Sequence, residues 1–232
     1  MVFWLAAIPG GLAVLLVVVK VRDVARDIGA NEKFPTGFPC GRLRSYLLIL
    51  FLFTLGNSSD AFLLLRAGQL GVTPYRIPLL WAFFHMVKML SSMPLGALSD
   101  RVGRRVLIMA GWVVYAITYA GFAFAESERH VWLLFAVYGV FYGLTEGVEK
   151  ALVADIAPAG ERGGAFGWYN FAIGAGALPA SLIFGLIWQH ASAQAAFGFG
   201  AALALLAAFL FFLFVPTVIP ISNQRCSQGG ED

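Results

Sequence analysis

Long apolar stretches alternate with short polar segments along most of this chain of 232 residues. A helix needs about 20 apolar residues to cross the hydrocarbon core of a bilayer. A transmembrane barrel would instead show short strands of alternating hydrophobicity. The pattern therefore predicts an all-α integral membrane protein with about seven transmembrane helices, in the stretches 2–19, 45–68, 77–98, 106–125, 131–155, 164–189 and 194–214.

The composition points the same way. Hydrophobic residues make up 59 % of the chain and charged residues 12 %. An ordinary soluble domain has about 45–50 % apolar and about 25 % charged residues. A soluble domain of this size could not cover so much apolar surface, whereas lipid can.

The basic residues are concentrated in alternate connecting segments, which predicts an orientation. One side of the predicted membrane carries Lys20, Arg22, Arg26, Lys33, Arg42, Arg44, Arg101, Arg104, Arg105, Arg162 and Arg225, and the other carries Arg76 and Arg129. Basic loops mark the cytoplasm. We therefore expect a multi-pass protein of the cell (inner or plasma) membrane, with its N-terminus outside and its C-terminus cytoplasmic. The net charge of +3 is spread over these loops, which excludes a nucleic-acid-binding face.

The spacing of the stretches predicts four parts. Residues 1–19 form a first transmembrane helix, and residues 20–44 form a cytoplasmic linker rich in charge, glycine and proline. A block of six helices covers 45–214, and 215–232 form a short polar cytoplasmic tail. Glycine and proline among charges are typical of linkers rather than of folded domains.

A short loop between the third and fourth stretches is the sharpest local motif. It contains Gly96, Asp100, Arg101, Gly103, Arg104 and Arg105. A carboxylate there could cap a neighbouring helix N-terminus, and the arginines could bind carboxylates on other helices. The alternative is a basic loop that only sets topology.

That loop resembles the G-x-L-x-D-R-x-G-R-[RK] signature of the major facilitator superfamily of secondary transporters. The segment from Asp155 to Gly163, which includes Arg162, resembles the D-x-x-P-x-x-x-R-G turn of the same family. The segments 56–62 and 142–149 also look like bacterial members. The family has twelve helices in two six-helix halves, each built of inverted repeats.

The flanks resemble the sixth helix, the central linker and the C-terminal half of such a transporter, with five preceding helices absent. The resemblance implies secondary transport of a small solute by alternating access, without a cofactor. It implies that the loop and turn residues form a cytoplasmic gate in which Asp100 caps a neighbouring helix and Arg101 or Arg104 pairs with Asp155. Of these two pairs, we predict the contact between Arg104 and Asp155. It also implies a partner, either the missing N-terminal half or a second protomer.

Several polar residues lie at predicted membrane depth, where they face a cavity or pair with each other. The candidate substrate or proton pathway consists of Asn57, Asp60, His85, Lys88, Tyr142, Glu146, Glu149, Lys150 and Asn170. The alternative is a structural ion-pair network, for example Lys88 with Asp60 or with Glu146. Because the charges are of mixed sign, the solute class stays open, and protons are a candidate coupling ion. Arg66 is expected to extend outward to the membrane surface.

Two stripes of small residues predict close helix packing. Gly139, Gly143 and Gly147 recur every four residues, and Gly174, Ala177 and Ser181 share a face of the next helix.

Other function classes lack their motifs. The chain has no GxxxxGK[ST] loop for a nucleotide, and no HExxH or Gly-x-Ser-Gly motif of an intramembrane protease. Its three histidines show no metal-ligand spacing. We therefore predict a transporter rather than an enzyme, with no metal site. The alternative is an inactive or accessory membrane fragment that needs a partner half.

Overall fold

The computed structural model describes residues 2–20, 39, 41–158 and 160–215. These residues form eight helices and no strand: α1 (Val2–Lys20), α2 (Gly41–Gly56), α3 (Asp60–Gln69), α4 (Ile77–Val102), α5 (Arg104–Phe124), α6 (Glu128–Ile156), α7 (Arg162–His190) and α8 (Ala193–Phe214). The predicted all-α membrane fold is confirmed. Most of the predicted linker and tail, including Arg22, Arg26, Lys33 and Arg225, lies outside the described residues.

The chain forms two compact units, Met1–Lys33 and Phe34–Asp232. In the first, the described structure is α1, a helix of 19 residues. The second contains α2 to α8 and every candidate site residue.

Five segments are long and apolar enough to cross a membrane: Gly41–Gln69, Arg104–Phe124, Glu128–Ile156, Arg162–His190 and Ala193–Phe214. α4 has 26 residues, which span about 39 Å, but it contains Lys88, Asp100 and Arg101 and is not among the five. Within α1, Gly10–Lys20 is a shorter apolar helix. The expected total of about seven crossings stays a prediction for these two helices.

The second predicted stretch, 45–68, is not one continuous helix. α2 starts earlier, at Gly41, and ends at Gly56, and α3 starts at Asp60. The break is stabilised locally because the Ser59 side chain accepts a hydrogen bond from the Ala61 N–H at 3.3 Å, as a helix N-cap does. From α5, the Tyr115 hydroxyl donates to the Gly56 carbonyl at 3.1 Å, which satisfies a group that the interrupted helix leaves open.

α4 packs along α6, and the glycines of α6 allow this close contact. A Cβ on Gly139 would lie 2.9 Å from the Val87 Cβ, and a Cβ on Gly143 would overlap the Ser91 side chain. A Cβ on Gly147 would meet nothing within 4 Å. The predicted packing stripe is thus confirmed for Gly139 and Gly143 and wrong for Gly147.

On α7 the close approach involves a different glycine from the predicted one. A Cβ on Gly174 would meet nothing within 4 Å, whereas a Cβ on Gly176 would lie 2.9 Å from the Thr54 side chain of α2. α2 therefore packs on the face of α7 that contains Gly176.

The prediction for Arg66 is wrong. This side chain is buried and donates to the Phe122 carbonyl at 3.3 Å and to the Ala125 carbonyl at 3.2 Å. The last carbonyls of a helix have no intrahelical donor, and a cation at that end is favoured. Arg66 therefore joins α3 to the C-terminal end of α5 instead of reaching outward.

Candidate functional site

An open cleft of about 530 Å³ lies at the break between α2 and α3. α2, the break and α3 supply its polar side, and α6 and α7 supply the rest. Its lining residues are Thr54, Asn57, Ser58, Ser59, Asp60, Tyr142, Ile173, Ala177, Leu178 and Ser181. The structure thus brings together three of the predicted pathway residues: Asn57, Asp60 and Tyr142.

Asp60 is the acidic residue of this cleft. Its Oδ1 accepts a hydrogen bond of 2.6 Å from the hydroxyl of Tyr138, which is fully buried. The Tyr142 hydroxyl lies 3.5 Å from that of Tyr138. None of the ion pairs within the described residues involves Asp60.

The other cleft contacts come from α5. The Tyr115 hydroxyl lies 3.3 Å from Asn57 Oδ1, and the Ser58 and Tyr119 hydroxyls are 3.2 Å apart. Tyr115 and Tyr119 stack on each other, with ring centroids 4.1 Å apart. The sequence pattern gave no sign of these α5 residues, because tyrosines in an apolar helix also fit an ordinary core.

Lys88 is already paired. Its Nζ lies 2.6 Å from Glu146 Oε2 and 4.5 Å from the centre of the Tyr142 ring. The Lys150 Nζ lies 3.6 Å from Glu146 Oε1. Two lysines therefore neutralise Glu146, and of the two structural pairs considered for Lys88, the one with Glu146 is formed.

Three of the predicted gating residues, Asp100, Arg104 and Asp155, meet where α4 ends, α5 begins and α6 ends. Gly103 alone links α4 to α5, with a φ of 99° that favours glycine. Arg104, the first residue of α5, lies 3.8 Å from Asp100 of α4 (Nη2 to Oδ1) across this turn. It also lies 3.0 Å from Asp155 of α6 (Nη1 to Oδ2). The predicted contact between Arg104 and Asp155 is present.

The family model of the Major Facilitator Superfamily matches residues 46–225 of the chain. The chain belongs to the major facilitator superfamily. An uncharacterized MFS-type transporter of Methanocaldococcus jannaschii is 36 % identical over 182 residues, which are 75 % of this chain and 44 % of that protein. A second uncharacterized MFS-type transporter of that organism is 24 % identical over 80 % of this chain and 49 % of its own length.

The quinolone resistance protein NorA of Staphylococcus aureus is also similar, with 26 % identity over 68 % of this chain and 39 % of its own length. The chain spans less than half the length of these curated relatives. Membership of this superfamily, together with the five apolar helical segments of the chain, identifies a multi-pass membrane protein of a transporter family.

The cap of a neighbouring helix that the superfamily resemblance implies for Asp100 is absent from the described residues, and the remaining gating residues make other contacts or are exposed. Within the described residues, Asp100 makes no hydrogen bond to a helix N-terminus, because its carboxylate faces Arg104 in the first turn of α5. Gly96 lies inside α4 and accepts a hydrogen bond from Ser99. Arg101 is exposed near the end of α4, and Arg162 is the exposed first residue of α7. Arg105 donates to the Phe212 carbonyl of α8.

The structure separates the other predicted pathway residues from the cleft. His85 packs against Trp81 and Phe84, with ring centroids 5.1 Å and 4.9 Å away. Asn170 donates to the Phe166 carbonyl of its own helix at 2.8 Å. Neither side chain lines the cleft.

Glu149 is buried in the core instead. Its Oε1 accepts from Trp112 Nε1 and its Oε2 from the Tyr169 hydroxyl, both at 3.0 Å. This carboxylate joins α5, α6 and α7. In the sequence, the position of Glu149 next to Lys150 indicates only a polar stripe. It does not reveal that the Trp112 and Tyr169 side chains enclose the Glu149 carboxylate.

Another ion pair of α6 lies at the end away from the gating residues. Arg76 Nη1 lies 2.8 Å from Glu128 Oε1, which also accepts from Trp132 Nε1 at 3.2 Å. The hydrogen bond and charge of Glu128 raise the pKa of Arg76. This pair connects the turn before α4 to the start of α6.

Proposed function

We propose that the chain acts as one six-helix half of a secondary active transporter that moves a small solute by alternating access. The observation that carries this proposal is the open cleft of about 530 Å³ where α2 is interrupted. Transporter sites are typically built at interrupted helices near the midplane of the bilayer. A cleft lined by hydroxyls, an amide and one carboxylate can bind a polar solute there.

The cleft needs a second wall. Superfamily transporters place the solute between two six-helix halves, and this chain spans less than half the length of its relatives. A partner half therefore completes the pathway, either as an N-terminal half or as a second protomer. In this arrangement residues 45–214 form the half-bundle, with the linker 20–44 and the tail 215–232 in the cytoplasm and the N-terminus outside the cell membrane.

Asp60 is the coupling residue of this proposal. Glu146 is neutralised by Lys88 and Lys150, whereas Asp60 has a neutral hydroxyl as its hydrogen-bond partner. An ionisable residue at membrane depth is a candidate for a proton or substrate site by default. Asp60 would therefore exchange a proton for a solute group, and Tyr138 would hold the carboxylate in place.

Replacing Asp60 with asparagine is expected to lower proton-driven transport about tenfold, because the amide keeps the shape but cannot carry the charge. Membrane vesicles with the full chain would be energised by a pH gradient, and uptake of a quinolone would be measured. NorA is named for quinolone resistance, so this solute is a reasonable first probe.

The matched control is Glu126→Gln, which changes an exposed acid away from the cleft and is expected to transport like wild type. Equal transport by Asp60→Asn would contradict the role of Asp60. Vesicles of the unaltered chain that never transport would show that a second protomer does not complete the pathway. Failure to transport after co-expression with the N-terminal half of a relative as well would favour the accessory fragment, in which the pair between Lys88 and Glu146 only holds α4 against α6.

The contact between Arg104 and Asp155 would close the cytoplasmic end. Arg104 begins α5 and Asp155 lies near the end of α6, so the pair links the α4–α5 turn to the end of α6. A gate of this kind must break in each cycle, and a partly exposed pair suits that because such pairs contribute only about 0.2–1 kcal/mol.

A double-mutant cycle tests this gate. We expect Arg104→Gln and Asp155→Asn each to reduce transport severalfold, and the double variant to be no worse than either single variant, because the two residues act as one contact. Arg129→Gln is the control, since this exposed arginine lies at the opposite end of α6 from Asp155 and takes part in none of the ion pairs of the described residues. Additive losses would show that the two residues act separately.

A further inference from the structure

An apolar groove separates α2 from α8 on the surface of the bundle. It has a volume of about 270 Å³ and is lined by Ser45, Leu48, Ile49, Leu52, Leu210 and Phe214. Leu48 and Phe214 are 55 % and 60 % exposed. In a membrane protein such a surface faces lipid tails.

Two arginines lie at one end of this groove. Arg42 precedes Ser45 and Ile49 by three and seven positions, and Arg44 precedes Leu48 by four, so both continue the groove-lining face of α2 by one turn. The groove ends there because α8 ends at Phe214. The basic end and the apolar body therefore form one continuous strip.

Within the described part of the chain, neither arginine forms an ion pair, since all five ion pairs there use other cations. In the same part of the chain, the Arg42 Nη1 atom is buried without a hydrogen-bond partner. Arg105 donates to the Phe212 carbonyl through Nη2, while its Nε is also buried without a hydrogen-bond partner among the described residues. Arg42 and Arg44 thus offer donors and charge that an anion would satisfy.

The length of the strip fits one leaflet. The stretch from Ser45 to Leu52 rises about 10 Å along α2 at about 1.5 Å per residue. Half of a hydrocarbon core of about 30 Å is about 15 Å. A lipid tail lying in the groove would therefore place its headgroup beside the arginines without crossing the midplane.

We propose that this strip is a binding site for one anionic phospholipid, with its phosphate on Arg42 and Arg44 and an acyl chain between α2 and α8. Basic pockets between transmembrane helices are known to bind anionic headgroups. The site lies on the lipid-facing surface of the bundle and not in the cleft. It requires only that the chain is in a bilayer, so it does not rest on the transport proposal. A bound lipid would hold the start of α2 against the end of α8.

Native mass spectrometry of the full chain tests this site. The purified protein would be incubated with equal amounts of dioleoyl phosphatidylglycerol and dioleoyl phosphatidylcholine. We expect about tenfold more phosphatidylglycerol bound, since two basic side chains act on its headgroup. The double variant Arg42→Gln/Arg44→Gln is expected to bind both lipids equally, and the control Arg129→Gln, an exposed cation in α6, to keep the preference.

A second variant tests the groove itself. Leu48→Trp fills the groove and is expected to reduce the retention of both lipids without changing the melting temperature, because Leu48 is exposed. This variant keeps the test decisive if the arginine variant does not fold. Added inorganic phosphate is expected not to displace phosphatidylglycerol. Displacement by phosphate, equal binding of both lipids by the unaltered chain, or unchanged retention in Leu48→Trp would each overturn the proposal.

Discussion

Replacing Gly143 with leucine is expected to lower the free energy of unfolding by about 3 kcal/mol, because α4 and α6 can no longer approach each other. Even a single Cβ at this position would overlap the side chain of Ser91 and lie 3.1 Å from its backbone carbonyl carbon. A side chain could turn away from such a clash, but a helix backbone can only move as a whole. The larger residue would therefore push the two helices apart along their contact.

Gly147→Leu provides a matched control, one turn further along the same helix. A Cβ there would meet nothing within 4 Å, so this variant is expected to be as stable as wild type or slightly more stable, since leucine favours helix more than glycine does. Unfolding of both variants in detergent would be followed by circular dichroism. Equal stabilities would show that the contact between α4 and α6 does not depend on Gly143.

Replacing Glu149 with alanine is expected to cost about 4 kcal/mol of unfolding free energy. The change removes the acceptor of both the Trp112 N–H and the Tyr169 hydroxyl, and each buried donor left unpaired costs about 1–3 kcal/mol. The lost side chain also leaves a cavity. Because the three residues belong to α5, α6 and α7, the expected damage extends through the bundle.

Glu149→Gln separates the hydrogen bonds from the volume. Glutamine fills the same space and has one acceptor oxygen, so it can receive one of the two donors and is expected to lose about half as much stability. The unfolding of both variants would be measured under the same conditions. An alanine variant within about 1 kcal/mol of wild type would show that water or another group replaces the carboxylate.

The helices were predictable because bilayer thickness fixes their length. The stretch predicted at 106–125 corresponds to α5 at Arg104–Phe124, and that at 194–214 to α8 at Ala193–Phe214. The break at 57–59 was not predictable in this way, because the apolar stretch continues on both sides of three small polar residues. Its stability depends on Tyr115, which is distant in sequence.

The candidate site was predictable in part. Resemblance to the superfamily motif gave the contact between Arg104 and Asp155, which helix periodicity alone could not supply. Periodicity placed Asn57, Asp60 and Tyr142 at membrane depth, but it could not distinguish the open cleft from the closed pair of Lys88 and Glu146. Arg66 was misplaced because outward extension is the usual solution for an arginine near a helix end, and the open carbonyls of α5 are invisible in sequence.

The break in the second span coincides with a close backbone contact between α2 and α8. A Cβ on Gly56 would lie 3.0 Å from the Gly200 carbonyl oxygen, and a Cβ on Gly200 would lie 2.8 Å from the Gly56 carbonyl oxygen. Two main chains therefore touch, without side chains between them, at the residue where α2 stops. This contact would be the pivot for any tilting of α2 relative to α8. A small change of the angle between the two helices there would displace their far ends by a much larger distance.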